Sequence, residues 1–245
     1  MARQHFDGGT GVSEAQIVAR LTELARIGGY FAVGIGSVDD GWCPVQQLYT
    51  DTALLDGIIS RVQARMDASE QRVAASTFFL GFAARLWSIG LAALAGHRLL
   101  LDLDPEHLLF READGQVQLH IEHPVARQGD NLEQLLANMV LAEHLTPLTA
   151  ALRRLGPISG KLLRGNAASA LLGAARVFDR HATAGTGWQL ARKLCGDERL
   201  SGAIRFNDSG YRRTSCCLYY RAPRGGLCAD CVLTSTPRER TKVTP

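Results

Sequence analysis

The 245-residue chain is 46% hydrophobic and 21% charged, with a formal net charge of +3. Those proportions exclude a disordered, collagen-like or disulfide-dense chain and supply enough apolar surface for one ordinary core or two small ones. Divided along the chain the charge is uneven. Residues 201–245 hold eight basic side chains (Arg205, Arg212, Arg213, Arg221, Arg224, Arg238, Arg240, Lys242) against Asp208, Asp230 and Glu239, a balance of +5, and the first 200 residues sum to −2. Four of the six cysteines lie in that basic stretch, which points to an anionic group or partner there.

In chain order, residues 1–9 show no apolar run of the secretory type, so the expected location is the cytoplasm. Structural disulfides are rare there, and thiols serve as metal ligands, catalytic groups or core residues. From Ser13 onward Ile17, Leu21 and Leu24 recur at helical spacing, with Ser13 and Gln16 in capping-box positions and Gly28-Gly29 as a stop. Residues 30–36 suit a short strand or turn. Thr50 or Asp51 caps a second helix through Leu54, Leu55, Ile58, Ile59 and Val62, and a third, over about residues 69–95, is apolar nearly all round, the pattern of a central core helix. Arg85, in the middle of its most apolar window, argues against a membrane span.

Apolar runs at residues 99–103, 108–110 and 117–121, set around Asp104-Pro105 and Asp114-Gly115, predict a meander of two or three strands near residues 98–122. Helical pattern resumes over residues 130–155 with an interruption at Pro147, then over 159–181 and 188–200. A short strand over residues 203–206 follows, then a tail rich in Arg, Cys and Gly that frays over residues 234–245. The expected fold is mainly α with a small antiparallel β meander: a helical body over residues 1–200 and a metal-binding C-terminal segment over 201–245.

One motif carries chemistry. Cys216 and Cys217 are adjacent, ten residues follow, and Cys228-Ala229-Asp230-Cys231 closes a C-C-x10-C-x2-C array, with Pro223 and Gly225-Gly226 available to bend the chain back. Four thiols within sixteen residues read as a metal site. Zinc ribbons need two knuckles with spaced thiolates converging on one tetrahedral ion, which adjacent cysteines fit badly. A 2Fe-2S cluster divides four thiolates between two irons and accommodates diverging neighbours, and Arg205, Arg212, Arg213, Arg221 and Arg224 would favour its anionic reduced form. Structural zinc in an assembly or nucleic-acid-binding protein is the alternative; the tail carries no recognisable nucleic-acid reader motif, so no nucleic-acid partner is expected.

The cysteine array near the C-terminus of a helical chain of this length resembles the FhuF-like ferric-siderophore reductases. Residues 164–170, Arg-Gly-Asn-Ala-Ala-Ser-Ala, resemble a segment that the family, and related siderophore-synthesis proteins, carry upstream of the cysteines. The likeness extends as a general layout over residues 50–235 and leaves the first 50 unmatched. It implies a 2Fe-2S cluster held by Cys216, Cys217, Cys228 and Cys231, used for one-electron reduction of a ferric siderophore with release of Fe(II) in the cytoplasm. A ferredoxin or reductase would then be the electron donor, with peripheral association with the inner membrane or an importer. Arg205, Arg212, Arg213, Arg221 and Arg224 are the candidates for docking substrate or donor, and Asn166 and Ser169 for lining a ligand cleft beside the cluster. A relative that binds the chelator without reducing it would leave the cysteines idle.

Other features read as structural. Cys43 and Cys195 stand alone and suit ordinary core thiols. The seven histidines form no metalloprotease-type pair, and Gly34-Ile35-Gly36 lacks the residues of a phosphate-binding loop. Trp87 and Trp188 suit core or core-edge positions, and Trp42 a loop anchor.

Overall fold

The computed structural model describes residues 12–113, 116–182, 185–208 and 210–236. The expectations for residues 1–9, for the Asp114-Gly115 turn and for the last nine residues lie outside these.

Helix α1 (Glu14–Ala25) starts on the expected capping box: Gln16 N donates to Ser13 Oγ at 3.3 Å and Ser13 N donates to Gln16 Oε1 at 2.9 Å. Short strands β1 (Gly34–Ile35) and β2 (Cys43–Pro44) and a single turn, α2 (Gln47–Thr50), lead to Asp51, whose carboxylate accepts from Leu54 N at 2.9 Å and caps α3 (Thr52–Met66). Helix α4 (Gln71–His97) follows, with Phe79, Phe82, Leu86, Trp87 and Leu91 all but inaccessible to solvent. It is the core helix its composition predicts.

Arg85 leaves the apolar stripe by donating from Nη1 to Gly29 O at 3.0 Å and lying 5.0 Å over the Tyr30 ring. Two helical stretches, Gln71–His97 and Leu132–Leu155, are long and apolar enough to cross a bilayer by length and composition. Of their apolar windows 72% and 56% are buried against the rest of the protein, the environment of core helices.

Strands β3 (Leu100–Leu101), β4 (Leu109–Ala113), β5 (Gln116–Ile121) and β6 (Ala126–Arg127) come next. β4 and β5 form an antiparallel hairpin from Leu109↔His120 to Ala113↔Gln116, and the sheet runs β1-β5-β4-β2. β1 lies parallel to β5, a pairing sequence spacing does not disclose. It requires Gly34, where a Cβ would overlap the His120 ring, and His120 Nε2 lies 2.6 Å from Gly36 O. The first run of the expected meander leaves it, because both residues of β3 are buried and pair with β6 in a separate two-stranded sheet. Trp42 is the loop anchor expected: its Nε1 donates to Asp39 at 3.0 Å and Arg111 stacks on its ring at 4.6 Å.

The interruption expected at Pro147 is not a break. Helix α5 (Leu132–Asn138) passes through a π-helical turn (Met139–Leu145) into α6 (Thr146–Leu155). Proline has no N–H and crowds the carbonyl four residues earlier, and the wider turn before it relieves both demands, with Thr146 Oγ1 donating to Leu141 O at 2.8 Å. Within that turn His144 is fully buried, its Nε2 2.6 Å from Leu103 O and its Nδ1 2.6 Å from the Tyr49 hydroxyl. A carbonyl only accepts, so Nε2 carries the proton and Nδ1 accepts from Tyr49.

Helix α7 (Gly160–Asp179) packs along α4, and Asp179 accepts from Gly187 N at 2.8 Å and Trp188 N at 2.9 Å, fixing the start of α8 (Thr186–Leu194). The helix expected to reach Leu200 stops at Leu194 and is followed by a 3-10 turn, Glu198–Leu200. Burial pushes the Cys195 thiol up to about 12, the property of an inert core thiol.

Burial lowers the His144 pKa to about 4, against about 6.5 for the unfolded chain. The unfolded chain therefore binds more protons between those values. The stability from a neutral His144 is complete above about pH 6.5 and is lost as pH falls toward 4, by at most about 3 kcal/mol. Denaturation midpoints measured from pH 7 to pH 4 should fall in the parent, and the slope should flatten in His144→Gln; an equal slope in both would show that His144 is not its source.

Candidate metal centre

Strands β7 (Ile204–Asn207) and β8 (Gly210–Arg213) pair antiparallel from Ile204↔Arg213 to Asn207↔Gly210. Along β8 the side chains alternate, so Tyr211 and Arg213 are buried and Arg212 is exposed. The chain then stays on the hairpin through Thr214 N to Ala203 O at 2.9 Å and reaches α7 through Ser215 Oγ, which donates to Lys161 O at 3.1 Å. Cys216 and Cys217 follow at once.

The connection between the cysteine pairs is compact. Leu218 takes a left-handed backbone, φ 69°, a 3-10 turn covers Tyr219–Arg221, and Gly225 N donates to Ala222 O at 2.9 Å. A Cβ on Gly225 would overlap the Tyr219 carbonyl oxygen, so the bend read from Pro223 and Gly225-Gly226 depends on that glycine. Cys231 N donates to Cys228 O at 3.0 Å, closing the second pair in a turn. Leu218 and Ala222 pack on Met66, Ala68 and Val73, and Arg221 pairs with Glu70 at 2.6 Å, seating the loop at the corner between α3 and α4.

The sulfurs of Cys217 and Cys228 are 3.2 Å apart. Amides approach the other two: Leu218 N donates to Cys216 Sγ at 3.3 Å and Leu233 N to Cys231 Sγ at 3.4 Å. Cys217 and Cys231 are buried, Cys216 and Cys228 half-buried. Hydrogen bonds from Cys216 and Cys228 and the charge of Arg213 pull the Cys217 thiol down toward the thiolate; as its donors, and through burial, Cys216 and Cys228 are pushed up.

Among the described residues no three His, Cys, Asp or Glu side chains converge to hold a metal ion at one point. The thiols lie side by side, with amide donors on their flanks and a buried guanidinium behind. That donor set fits thiolates divided between two irons, and a single tetrahedral zinc poorly.

Behind the sulfurs runs a buried polar chain. Ser76 on α4 donates from Oγ to Cys217 O at 2.7 Å. Asn166 Nδ2 donates to Ser76 O at 3.0 Å and Ser76 Oγ at 2.9 Å, and Asn166 Oδ1 accepts from Arg213 Nη1 at 3.0 Å. Ser169 donates to Asp230 Oδ2 at 2.6 Å, and Arg213 Nη2 lies 3.1 Å from Asp230 Oδ1, close enough for an ion pair but out of line for a hydrogen bond. Burial opposes the charge on Arg213, but Cys217, Asp230 and Cys228 outweigh it and raise its pKa.

Two expectations change in consequence. Arg213 cannot dock a substrate or donor, because its side chain is 0% exposed. Asn166 and Ser169 do not line an open cleft: Asn166 is buried, and both are spent on the cysteine segment. Arg205, Arg212, Arg221 and Arg224 are exposed, with Arg221 paired to Glu70 and Arg212 Nη1 donating to Cys231 O at 2.8 Å. Ser76 and Asp230 were not singled out by the sequence reading; a serine inside the most apolar helix and an aspartate inside the C-x2-C turn were the available signals.

Four thiols docked on a helical body are a donor set that an iron-sulfur protein uses. Residues 213–233 match the family model of the FhuF 2Fe-2S C-terminal domain, which points to a 2Fe-2S cluster. The match covers the cysteine segment together with Arg213 and Asp230 and leaves the helical body unassigned; no curated protein matches the chain.

Replacing Cys216, Cys217, Cys228 or Cys231 by Ser should each remove or badly destabilise the cluster, whereas Cys43→Ser and Cys195→Ser should keep it. Iron and acid-labile sulfide counts on the six purified variants check this, and retention in Cys217→Ser with loss in Cys195→Ser would reverse the assignment.

Proposed function

We propose that the chain is a ferric-siderophore reductase that works in the cytoplasm, with the cluster held by Cys216, Cys217, Cys228 and Cys231. The observation that supports this reading most is the unequal cover of the four thiols. Cys217 and Cys231 are buried, whereas Cys216 and Cys228 are half-buried and leave one part of the centre within reach of solvent and of a docked molecule. When bound, the cluster supplies one-electron transfer between a donor, such as a ferredoxin or reductase, and the Fe(III) of the chelate. Fe(III) is a hard ion held by anionic oxygen ligands, and the same ligands hold Fe(II) far more weakly, so reduction is release.

The chain's own residues have two tasks in this reading. The body excludes water from one side of the thiols and fixes their positions through Ser76 and Ser215. The exposed arginines supply attraction for an anionic chelate or an acidic donor. Arg205 stands directly opposite Arg212 in the hairpin register, a like-charge pair that costs stability; Arg212 is tied to Cys231 O, so it is the charge of Arg205 that folding does not explain.

Purified holoprotein, reduced anaerobically, is expected to reoxidise in stopped flow on adding ferric siderophore, with Fe(II) appearing in a chromogenic trap at one iron per electron. The double variant Arg205→Gln/Arg224→Gln should lower the second-order rate with an anionic chelate by roughly threefold or more at low salt and flatten its salt dependence, leaving a neutral chelate unaffected. A reduced cluster that does not transfer its electron to any ferric chelate would remove the reductase reading.

A further inference from the structure

We propose that Arg213 is the buried counter-cation of the 2Fe-2S centre and Asp230 its counterweight, so that the two side chains move the reduction potential in opposite directions. The proposal rests on the cluster and not on the identity of the chelate.

Position comes first. Arg213 leaves β8 pointing inward, and its side chain is 0% exposed. Its Nη1 donates to Asn166, which is held in turn by two hydrogen bonds to Ser76, so the guanidinium is anchored from the helical body. Of its remaining nitrogens, Nε and Nη2 are buried without a hydrogen bond. Unpartnered N–H groups of a buried cation are costly and rare, and they call for acceptors nearby. Nη2 lies 3.1 Å from Asp230, inside the Cys228–Cys231 turn, and the charges of Cys217 and Cys228 help to hold the guanidinium ionised. Hydrogen bonds and positive charge at the sulfurs favour the more negative, reduced cluster and raise its potential.

Asp230 has the converse effect. It sits between Cys228 and Cys231, is 7% exposed and is held by Ser169 at 2.6 Å. Its carboxylate lies against the same guanidinium at 3.1 Å. A buried negative charge here disfavours an added electron. Water and salt screen both groups poorly, in contrast to Arg205 on the exposed face of the hairpin.

Arg213 is therefore a positioning residue for electron transfer. Arg213→Gln should shift the cluster equilibrium at least tenfold toward the oxidised form, about 59 mV to lower potential for a one-electron couple. Asp230→Asn should shift it in the opposite sense by a similar factor. The double variant should lie between them, near the parent, and Arg205→Gln should move the potential less than threefold.

The experiment is an anaerobic spectroelectrochemical titration of each holoprotein, with iron and sulfide counts to establish loading and visible circular dichroism to report the cluster's surroundings. Arg213→Lys, which keeps the charge and loses the fork, carries the test if Arg213→Gln does not retain its cluster: it should stay within about threefold of the parent while Asp230→Asn shifts upward. Shifts of the same sign in the arginine-to-glutamine and aspartate-to-asparagine variants would overturn the proposal. So would an Asp230→Asn potential equal to the parent's. Fe(II) release from ferric chelates is measured separately on the parent; its failure would remove the reductase reading and leave the potential shifts standing.

Discussion

A helix that is apolar on every side can exist in water only if it is wrapped, and α4 imposes that requirement on the rest of the chain. Helices α1, α3, α7 and α8 pack against it, and β3 lies at its C-terminal end. The single feature on α4 that reaches outward to chemistry is Ser76. It is inaccessible to solvent yet does not interrupt the core, because Asn166 satisfies its oxygen and its hydroxyl is directed at the Cys217 carbonyl. The cysteine segment is thus attached to the central helix through the Ser76 hydrogen bond and through Val73, on which Leu218 and Ala222 pack, and a thiol position defined that way inherits the precision of the core.

Burial of Arg213 extends the same logic to charge. A guanidinium withdrawn from water must recover its solvation from fixed dipoles and anions, and a neutral amide, a carboxylate and the thiols surround it. The charges of Cys217, Asp230 and Cys228 hold the guanidinium in its ionised form, so docking of the segment and loading of its metal are coupled. The segment has little apolar surface of its own; its anchors on α3 and α4 are Leu218 and Ala222, with Arg221 on Glu70 at the edge.

What could be read in the sequence was mostly local. The capping box at Ser13, the cap at Asp51, the all-apolar α4 and the β4–β5 hairpin each depend on residues a few positions apart. The array of cysteines was legible for the same reason. Pairing between distant segments was not: β3 with β6 and β1 with β5 depend on where α4 and α5 place them. Proline at 147 announced a disturbance but not its form, since an interruption and a widened turn satisfy the same missing N–H. The role of Arg213 was hidden because basic side chains are expected outside, and its inward direction follows only once Tyr211 and the hairpin register are known. Asn166 could have been found, as it falls on the buried face of α7 with Leu162, Leu163 and Ala170, where an amide needs a partner.

The facing arginines of the β7–β8 hairpin bear on how this protein behaves in a crowd. A two-stranded sheet can add a strand from another chain at an edge, and on β8 Arg213 N is already taken by Asp230 O at 2.9 Å. Arg205 and Arg212 place like charges across the register, with Arg192 over the Phe206 ring, and any copy approaching in the same register would bring its own pair of arginines alongside. Self-association along the hairpin is therefore opposed, while an anionic surface meets no such barrier.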